Sequence, residues 1–150
     1  MIKNEQDLEF FKNWLKGFER GLDALDEVNK INLLKYCARN CANTGVLEKH
    51  QKLYEMVNHN RDEYYRRLNE TGDVIGEVII SGKEYMMIYP KCGCDLHTSC
   101  HLSSPSLCEC SRQSILYVEQ SITNEIITVE RLESILEGHK ICKFKIKFKN

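Results

Sequence analysis

The chain has 150 residues, a formal net charge of −1 and a sequence pI of about 6.5, with ordinary apolar and charged fractions. This length suits one domain, and the near-neutral charge gives no global electrostatic reason to bind nucleic acid or an anionic membrane. Because no apolar run is long enough for a signal peptide or a bilayer-spanning helix, we expect a cytoplasmic protein with neither nucleic-acid nor membrane partners.

Helical patterns fill the first part of the chain, residues 1–70. Large apolar residues of the first helix recur three or four positions apart, as on one face of a helix that packs on a core. They are Leu8, Phe11, Leu15, Phe18, Leu22 and Leu25, with Trp14 widening the stripe. Further helices are predicted over residues 30–42, 47–58 and 62–68.

The second part, residues 74–150, has the texture of a sheet. Two β-rich runs at 74–80 and 84–89 flank Gly82 and predict a hairpin, which Pro90 ends. After a loop over 91–110, a helix is predicted over 111–121 with Ser111 as its N-cap. Strands over 125–136 and 141–148 complete the sheet. The predicted fold is a single α+β domain, with a helical N-terminal half packed on a four-stranded, mainly antiparallel sheet.

The last predicted strand alternates apolar and basic residues. Phe144, Ile146 and Phe148 are expected to face the core, with lysines on the opposite face. Lysines between aromatic residues also raise the alternative of nucleic-acid binding. We favour the interpretation that they protect a sheet edge from pairing with other chains.

Cysteines give the strongest functional signal, because eight occur in this short chain. The motifs Cys92-Gly93-Cys94 and Cys108-Glu109-Cys110 flank Cys100. A disulfide between residues two apart is strained, whereas four thiolates suit one tetrahedral soft ion. We therefore predict a metal site of Cys92, Cys94, Cys108 and Cys110 acting as one unit, without Cys100. Zinc is the expected ion, and an iron–sulfur cluster is the alternative.

Four more residues are candidate additional ligands. Cys37 and Cys41 lie one helical turn apart, and either supply thiolates or lie buried in the core as small hydrophobes. His97 could replace a cysteine ligand, and Cys142 lies in the last predicted strand.

The same cysteines could instead be reactive. A nucleophilic cysteine needs a base and an orienting partner. His97, His101 and His139 are candidate bases, but no spacing identifies a triad. A thiol-dependent hydrolase or reductase is thus the alternative to a binding protein.

The C-terminal half resembles a family of uncharacterised bacterial and archaeal proteins. The resemblance rests on Tyr89-Pro90-Lys91-Cys92-Gly93-Cys94, on Cys108-Glu109-Cys110-Ser111 before a helix, and on the closing segments 129–138 and 142–146. Cys37 and Cys41 resemble an N-terminal cysteine pair of the same family. The ending also resembles that of 4-vinyl reductase domains and of the L-2-amino-thiazoline-4-carboxylic acid hydrolase-like group.

The resemblance implies a sensor-like module that binds a small molecule between helices and sheet. Trp14, Phe18, Tyr85 and Met87 would line that pocket, with the cysteines at its mouth. Some 4-vinyl reductase sensors hold a structural zinc near the closing hairpin, but only Cys142 matches that set. Ser134 and Arg131 stand where a cysteine and a glutamate would be, so any metal must be held by this chain's own C-x-C motifs. The oligomeric state stays open between a monomer and a homodimer.

Overall fold

The computed structural model describes residues 4–149, an α+β fold in which helices pack on a four-stranded antiparallel sheet. The helices are α1 (Glu5–Asp23), α2 (Glu27–Ala42), α3 (Val46–Met56), α4 (Arg61–Arg66), α5 (Asp95–Thr98) and α6 (Leu107–Thr123). The strands are β1 (Ile75–Ile80), β2 (Glu84–Tyr89), β3 (Ile127–Glu133) and β4 (Cys142–Phe148). Two 3-10 turns, Leu68–Thr71 and Ile135–Glu137, precede β1 and follow β3.

Helix starts lie earlier than the sequence pattern predicts. Asp26 caps α2 by accepting a 2.8 Å hydrogen bond from the Asn29 amide, so α2 begins at Glu27. The predicted start of α6 at Ser111 is wrong, because α6 begins at Leu107. The segment before it is held by α1, where Glu19 accepts hydrogen bonds from the amides of Ser103 and Ser104 at 2.9 and 3.0 Å.

The sheet has the strand order β1-β2-β4-β3, with every neighbouring pair antiparallel. The last strand therefore lies inside the sheet, and the expectation that its lysines protect an edge is wrong. Lys145 and Lys147 instead place their Nζ atoms 3.2 and 3.7 Å from the carboxylate of Glu84 on β2. These lysines are cross-strand partners on the outer face of the sheet.

The main core lies between the inner face of the sheet and the helices. Tyr64 and Tyr65 of α4 are fully buried there, with Tyr85, Phe144 and Ile146 of the sheet. Tyr65 stacks on Tyr85 with ring centroids 4.0 Å apart. The α4 backbone comes so close to β1 that a Cβ on Gly76 would lie 2.1 Å from the Tyr65 carbonyl oxygen. Only glycine fits at this contact.

The apolar stripe of α1 is buried only in part. Leu15 and Leu22 belong to a second core cluster with Leu34 and Leu107, whereas Trp14 is 59% exposed. Phe11 and Leu25 are also exposed. None of the helices in the described part of the chain is long and apolar enough to cross a membrane.

Candidate functional site

Six of the eight cysteines line one cavity of about 250 Å³. They are Cys41, Cys92, Cys94, Cys108, Cys110 and Cys142. These residues come from α2, the segment after β2, the first turn of α6 and the start of β4. The structure thus brings together all four predicted ligands and two of the four additional candidates.

The second C-x-C motif lies inside α6, not before its N-terminus. Residues two apart on a helix point about 200° away from each other, so Cys108 and Cys110 cannot face the same way. Cys108 is buried at 6% exposure, and its Sγ lies 2.9 Å from the hydroxyl of Ser134. Cys110 lies toward α2, since the thiols of Cys37 and Cys41 are among its electrostatic neighbours. The two thiols of this motif therefore point in different directions from α6.

Cys142 lies beside Cys108 at the sheet end of the cavity. It begins β4 and pairs with Tyr89 of β2. The amide of Ile135 donates a hydrogen bond to its Sγ at 3.4 Å. Cys108 and Cys142 therefore contact consecutive residues, Ser134 and Ile135.

Cys37 and Cys41 lie on α2, which packs along α6. The Tyr117 hydroxyl of α6 donates a 3.1 Å hydrogen bond to Asn43 at the end of α2. Both cysteines are exposed, so the alternative that they are core residues is wrong. The reason is that Leu34, Ala38 and Ala42 form the buried side of α2. Cys41 reaches the cavity, whereas Cys37 lies outside its lining.

Burial raises the pKa of four of the cysteines that line the cavity. Burial, and then the thiols of Cys37, Cys41 and Cys94, raise the pKa of Cys110 to about 12. The pKa values of Cys94, Cys108 and Cys142 are also raised, in each case mainly by burial.

The remaining predicted site residues lie elsewhere. His97 places Nδ1 2.6 Å from the carbonyl oxygen of Leu102 and does not line the cavity. Cys100 packs against the second core cluster and does not line the cavity. His139 places Nδ1 3.2 Å from the backbone nitrogen of Ser134 and 3.1 Å from its carbonyl oxygen.

None of the four residues predicted to line a ligand pocket, Trp14, Phe18, Tyr85 and Met87, lines this cavity. Tyr85 and Met87 are core residues, and Trp14 stacks on Phe18 at a centroid distance of 6.0 Å on α1. The apolar part of the lining is instead Val46, Tyr89, Leu107, Ile115, Leu136 and Phe144. Tyr89 could have been identified from sequence, because it alternates with Tyr85 and Met87 on the inner face of the predicted hairpin.

A buried polar network lies behind Tyr89. The carboxylate of Glu119 is fully buried and accepts hydrogen bonds of 2.7 Å from each hydroxyl of Tyr64 and Tyr65. His50 places Nδ1 3.9 Å from the same carboxylate. Burial raises the pKa of Glu119 to about 7 and lowers that of His50 to about 4. The pKa of Tyr89 is raised by burial first, and then by its proximity to Glu119 and Cys142. Tyr89 therefore lies between the network and the cavity.

Ligand atoms do not converge on a metal position as the side chains stand. Within residues 4–149, no three His, Cys, Asp or Glu side chains are arranged to hold one ion. The cavity gathers thiols at its wall without closing them around a centre.

No protein-family model and no curated protein matches the chain. Among solved structures, the fold is similar to a trafficking protein particle complex subunit 3 from Naegleria fowleri that has palmitic acid covalently bound. The TM-score is 0.52 over 98% of both chains, at 10% sequence identity. At this identity the likeness describes the fold alone, and it agrees with the α+β class.

Proposed function

We propose that the chain is a sensor-like binding protein whose cavity thiols bind a soft metal, with zinc as the expected ion and an iron–sulfur cluster as the alternative. One observation carries the proposal: six cysteines from four separate segments line a single cavity of about 250 Å³. The relationship to 4-vinyl reductase domains remains part of the proposal. It rests on the quoted motifs and on the α+β fold.

Thiol chemistry supports a cation at this place. Thiolates are soft ligands that select zinc, copper(I) or iron–sulfur clusters. Burial, and after it the neighbouring thiols, oppose the ionisation of Cys110 and raise its pKa. A bound divalent cation reverses that effect and displaces the protons. Rotation about χ1 moves a cysteine Sγ by roughly 3 Å between staggered positions, so thiols at the wall can converge without a change of fold.

A thiol-dependent enzyme is less well supported. The thiolate is the nucleophile, and the raised pKa values of Cys94, Cys108, Cys110 and Cys142 lower its population. In the described part of the chain, the cavity lining includes no histidine that could act as a base.

An apolar ligand is a second candidate, because Leu107, Ile115 and Phe144 line the cavity beside the thiols. The Naegleria protein of similar fold carries covalently bound palmitic acid. An acyl chain held as a thioester would add its mass to the intact protein, and hydroxylamine would remove it. A protein that copurifies with metal and without such an adduct would exclude this candidate.

The experiment measures how far bound metal raises the melting temperature of the protein. Full-length protein purified without oxygen is melted as isolated and after metal removal, and its metal content is measured. Ser substitutions at Cys92, Cys94, Cys108 and Cys110 should each lower the metal content and shrink the difference between the two melting temperatures.

Cys100→Ser is the matched control, because Cys100 is a half-buried loop cysteine outside the cavity lining. It should preserve both the metal content and that difference, whatever its effect on the metal-free protein. Wild-type protein without metal, together with a melting temperature that added zinc does not change, would refute the proposed function.

A further inference from the structure

Helix α1 is attached to the rest of the fold along one side only. Of its residues Glu5–Asp23, Leu15 and Leu22 are the buried ones. Phe10 and Trp14 are instead 71% and 59% exposed. Contiguous exposed patches of large apolar side chains are rare on monomeric proteins and typically mark interaction surfaces. The outward side of α1 is therefore a candidate contact surface.

The exposed aromatic residues continue along the helix as glycines. Phe10, Trp14, Gly17 and Gly21 are spaced by four, three and four residues, so they form one row, which we call the outer row of α1. Glycine destabilises a helix interior relative to alanine. A Cβ at Gly17 or Gly21 would meet no atom within 4 Å, so no contact within the described chain requires glycine there. The outer row thus has a bulky half and an open half.

The two halves of the outer row fit each other when a second copy lies antiparallel across it. Phe10 precedes Trp14 by four residues and Gly17 precedes Gly21 by four, so one register satisfies both pairs. Phe10 then lies over Gly21 of the second copy, and Trp14 lies over its Gly17. The missing Cβ atoms let the helix axes approach closely. A parallel arrangement would place aromatic residues on each other and leave the glycines facing an empty space.

Charges beside the outer row favour the same orientation. Glu9, Lys16 and Arg20 lie along one edge of it at helical spacing, with the acid nearer the N-terminus and the bases nearer the C-terminus. An antiparallel pair brings Glu9 of each copy toward Arg20 of the other, whereas a parallel pair opposes like charges. Exposed ion pairs of this kind contribute little to affinity and more to orientation. The helix carries five acidic and three basic side chains, which argues against an anionic membrane as the occupant.

We propose that the outer row of α1 is the contact surface of a symmetric homodimer. Two antiparallel copies of α1 pack Phe10 and Trp14 of one chain against the glycines of the other, and the two contacts are equivalent by twofold symmetry. No residue of Glu5–Asp23 lines the thiol cavity, so this inference does not depend on the function proposed above.

Trp14 makes the proposal directly measurable, because it is the single tryptophan of the chain. Full-length protein is kept under reducing conditions, so that the exposed cysteines of α2 cannot link two chains. Sedimentation equilibrium should give twice the chain mass of 17.5 kDa at micromolar concentration. Dilution should return the monomer mass and, in parallel, shift the Trp14 emission maximum to longer wavelength as the indole returns to water.

Filling the glycine positions should break the dimer. Gly17→Leu and Gly21→Leu each add a side chain to space that is open in the single chain. Either change should raise the dimer dissociation constant by roughly tenfold to a hundredfold, because the added side chain overpacks the contact. Gln51→Leu is the matched control, since it adds the same side chain at an exposed position of α3 and should leave the constant unchanged. Nonspecific apolar association would instead be strengthened by all three changes.

A size exchange tests the pairing of the residues. Trp14→Ala alone should weaken the dimer. Trp14→Ala combined with Gly17→Leu should dimerise more tightly than either single variant, because the leucine of each copy occupies the space that the indole of the other leaves. Sedimentation equilibrium is the readout, and circular dichroism checks that every variant keeps the helix content of wild type.

Three outcomes would overturn the proposal. The first is a wild-type monomer at all concentrations, with the emission of a water-exposed indole. The second is a dimer that survives both leucine substitutions with unchanged Trp14 emission, which would place the interface elsewhere. The third is a monomer whose Trp14 emission moves to shorter wavelength on vesicles of phosphatidylcholine and phosphatidylserine, which would assign the outer row to a membrane surface.

Discussion

The buried pair of Glu119 and His50 makes a specific prediction about stability and pH. Burial raises the pKa of Glu119 from 4.5 to about 7, so its contribution to stability is present below pH 4.5 and lost as the pH rises to about 7. Burial lowers the pKa of His50 from 6.5 to about 4, so its contribution is present above pH 6.5 and lost as the pH falls to about 4.

Each of these two pKa changes corresponds to a contribution of about 3 kcal/mol to the free energy of unfolding, at roughly 1.4 kcal/mol per pH unit. The two contributions depend on pH in opposite directions, and their pH ranges overlap. In the folded protein Glu119 and His50 together hold one proton between about pH 4 and 7, on Glu119. In the unfolded chain they also hold one proton between pH 4.5 and 6.5, on His50. We expect the free energy of unfolding of the wild type to change little from this pair between about pH 4.5 and 6.5.

Single substitutions should reveal how the free energy of unfolding depends on pH for each residue alone. Glu119→Gln leaves His50 alone, and the free energy of unfolding should fall by about 3 kcal/mol as the pH drops from about 6.5 to 4. His50→Gln leaves Glu119 alone, and the free energy should fall by a similar amount as the pH rises from about 4.5 to 7. Either variant also loses some stability at all pH values. Glu119 accepts hydrogen bonds from the hydroxyls of Tyr64 and Tyr65, and His50 places Nδ1 2.5 Å from the Tyr64 hydroxyl.

The assay is urea unfolding at several pH values, read as the slope of stability against pH. Glu9→Gln, an exposed position on α1, is the matched control and should reproduce the wild-type profile. Parallel pH profiles for wild type, Glu119→Gln and His50→Gln would refute the reasoning, because they would mean that burial does not displace the two titrations.

Three further predictions concern the fold and the thiols. Deleting everything after Gly138 should abolish cooperative unfolding, since it removes β4 from between β2 and β3, and a native-like thermal melt would contradict this. Gly76→Ala should lower the free energy of unfolding by about 1–3 kcal/mol, because its Cβ would meet the Tyr65 carbonyl oxygen, whereas Gly93→Ala has no atom within 4 Å of its Cβ and should be near neutral. Rapid alkylation of denatured, metal-stripped protein from fresh lysate should modify all eight cysteines, and a stoichiometric cysteine-linked peptide would argue against a reduced cluster.

Local patterns were enough to predict most of the architecture. The first hairpin was predictable because two β-rich runs flank Gly82, whose φ of 74° suits a turn. The helical first half followed from apolar spacing. The early start of α6 was not predictable, because Glu19 and Asp23, more than eighty positions away in the chain, hold the serines before it.

The sequence predicted which cysteines belong to the candidate site better than it predicted how they are arranged. The C-x-C motifs identified four of the six cysteines that line the cavity. Their division between two sides of α6 depends on where that helix begins, and the long-range contacts of α1 determine that start. The cavity's apolar wall was missed because it combines residues from α3, β2, α6, the second 3-10 turn and β4 that have no shared sequence pattern.

Metal content tests the central claim most directly. Protein purified without oxygen, without an affinity tag that binds metal and without added metal, should contain zinc or iron in at least stoichiometric amount, and Ser substitution of Cys94 or Cys110 should reduce it. Wild-type protein that is folded, fully reduced and free of zinc, iron and copper, and that takes up none of them on titration, would contradict the account.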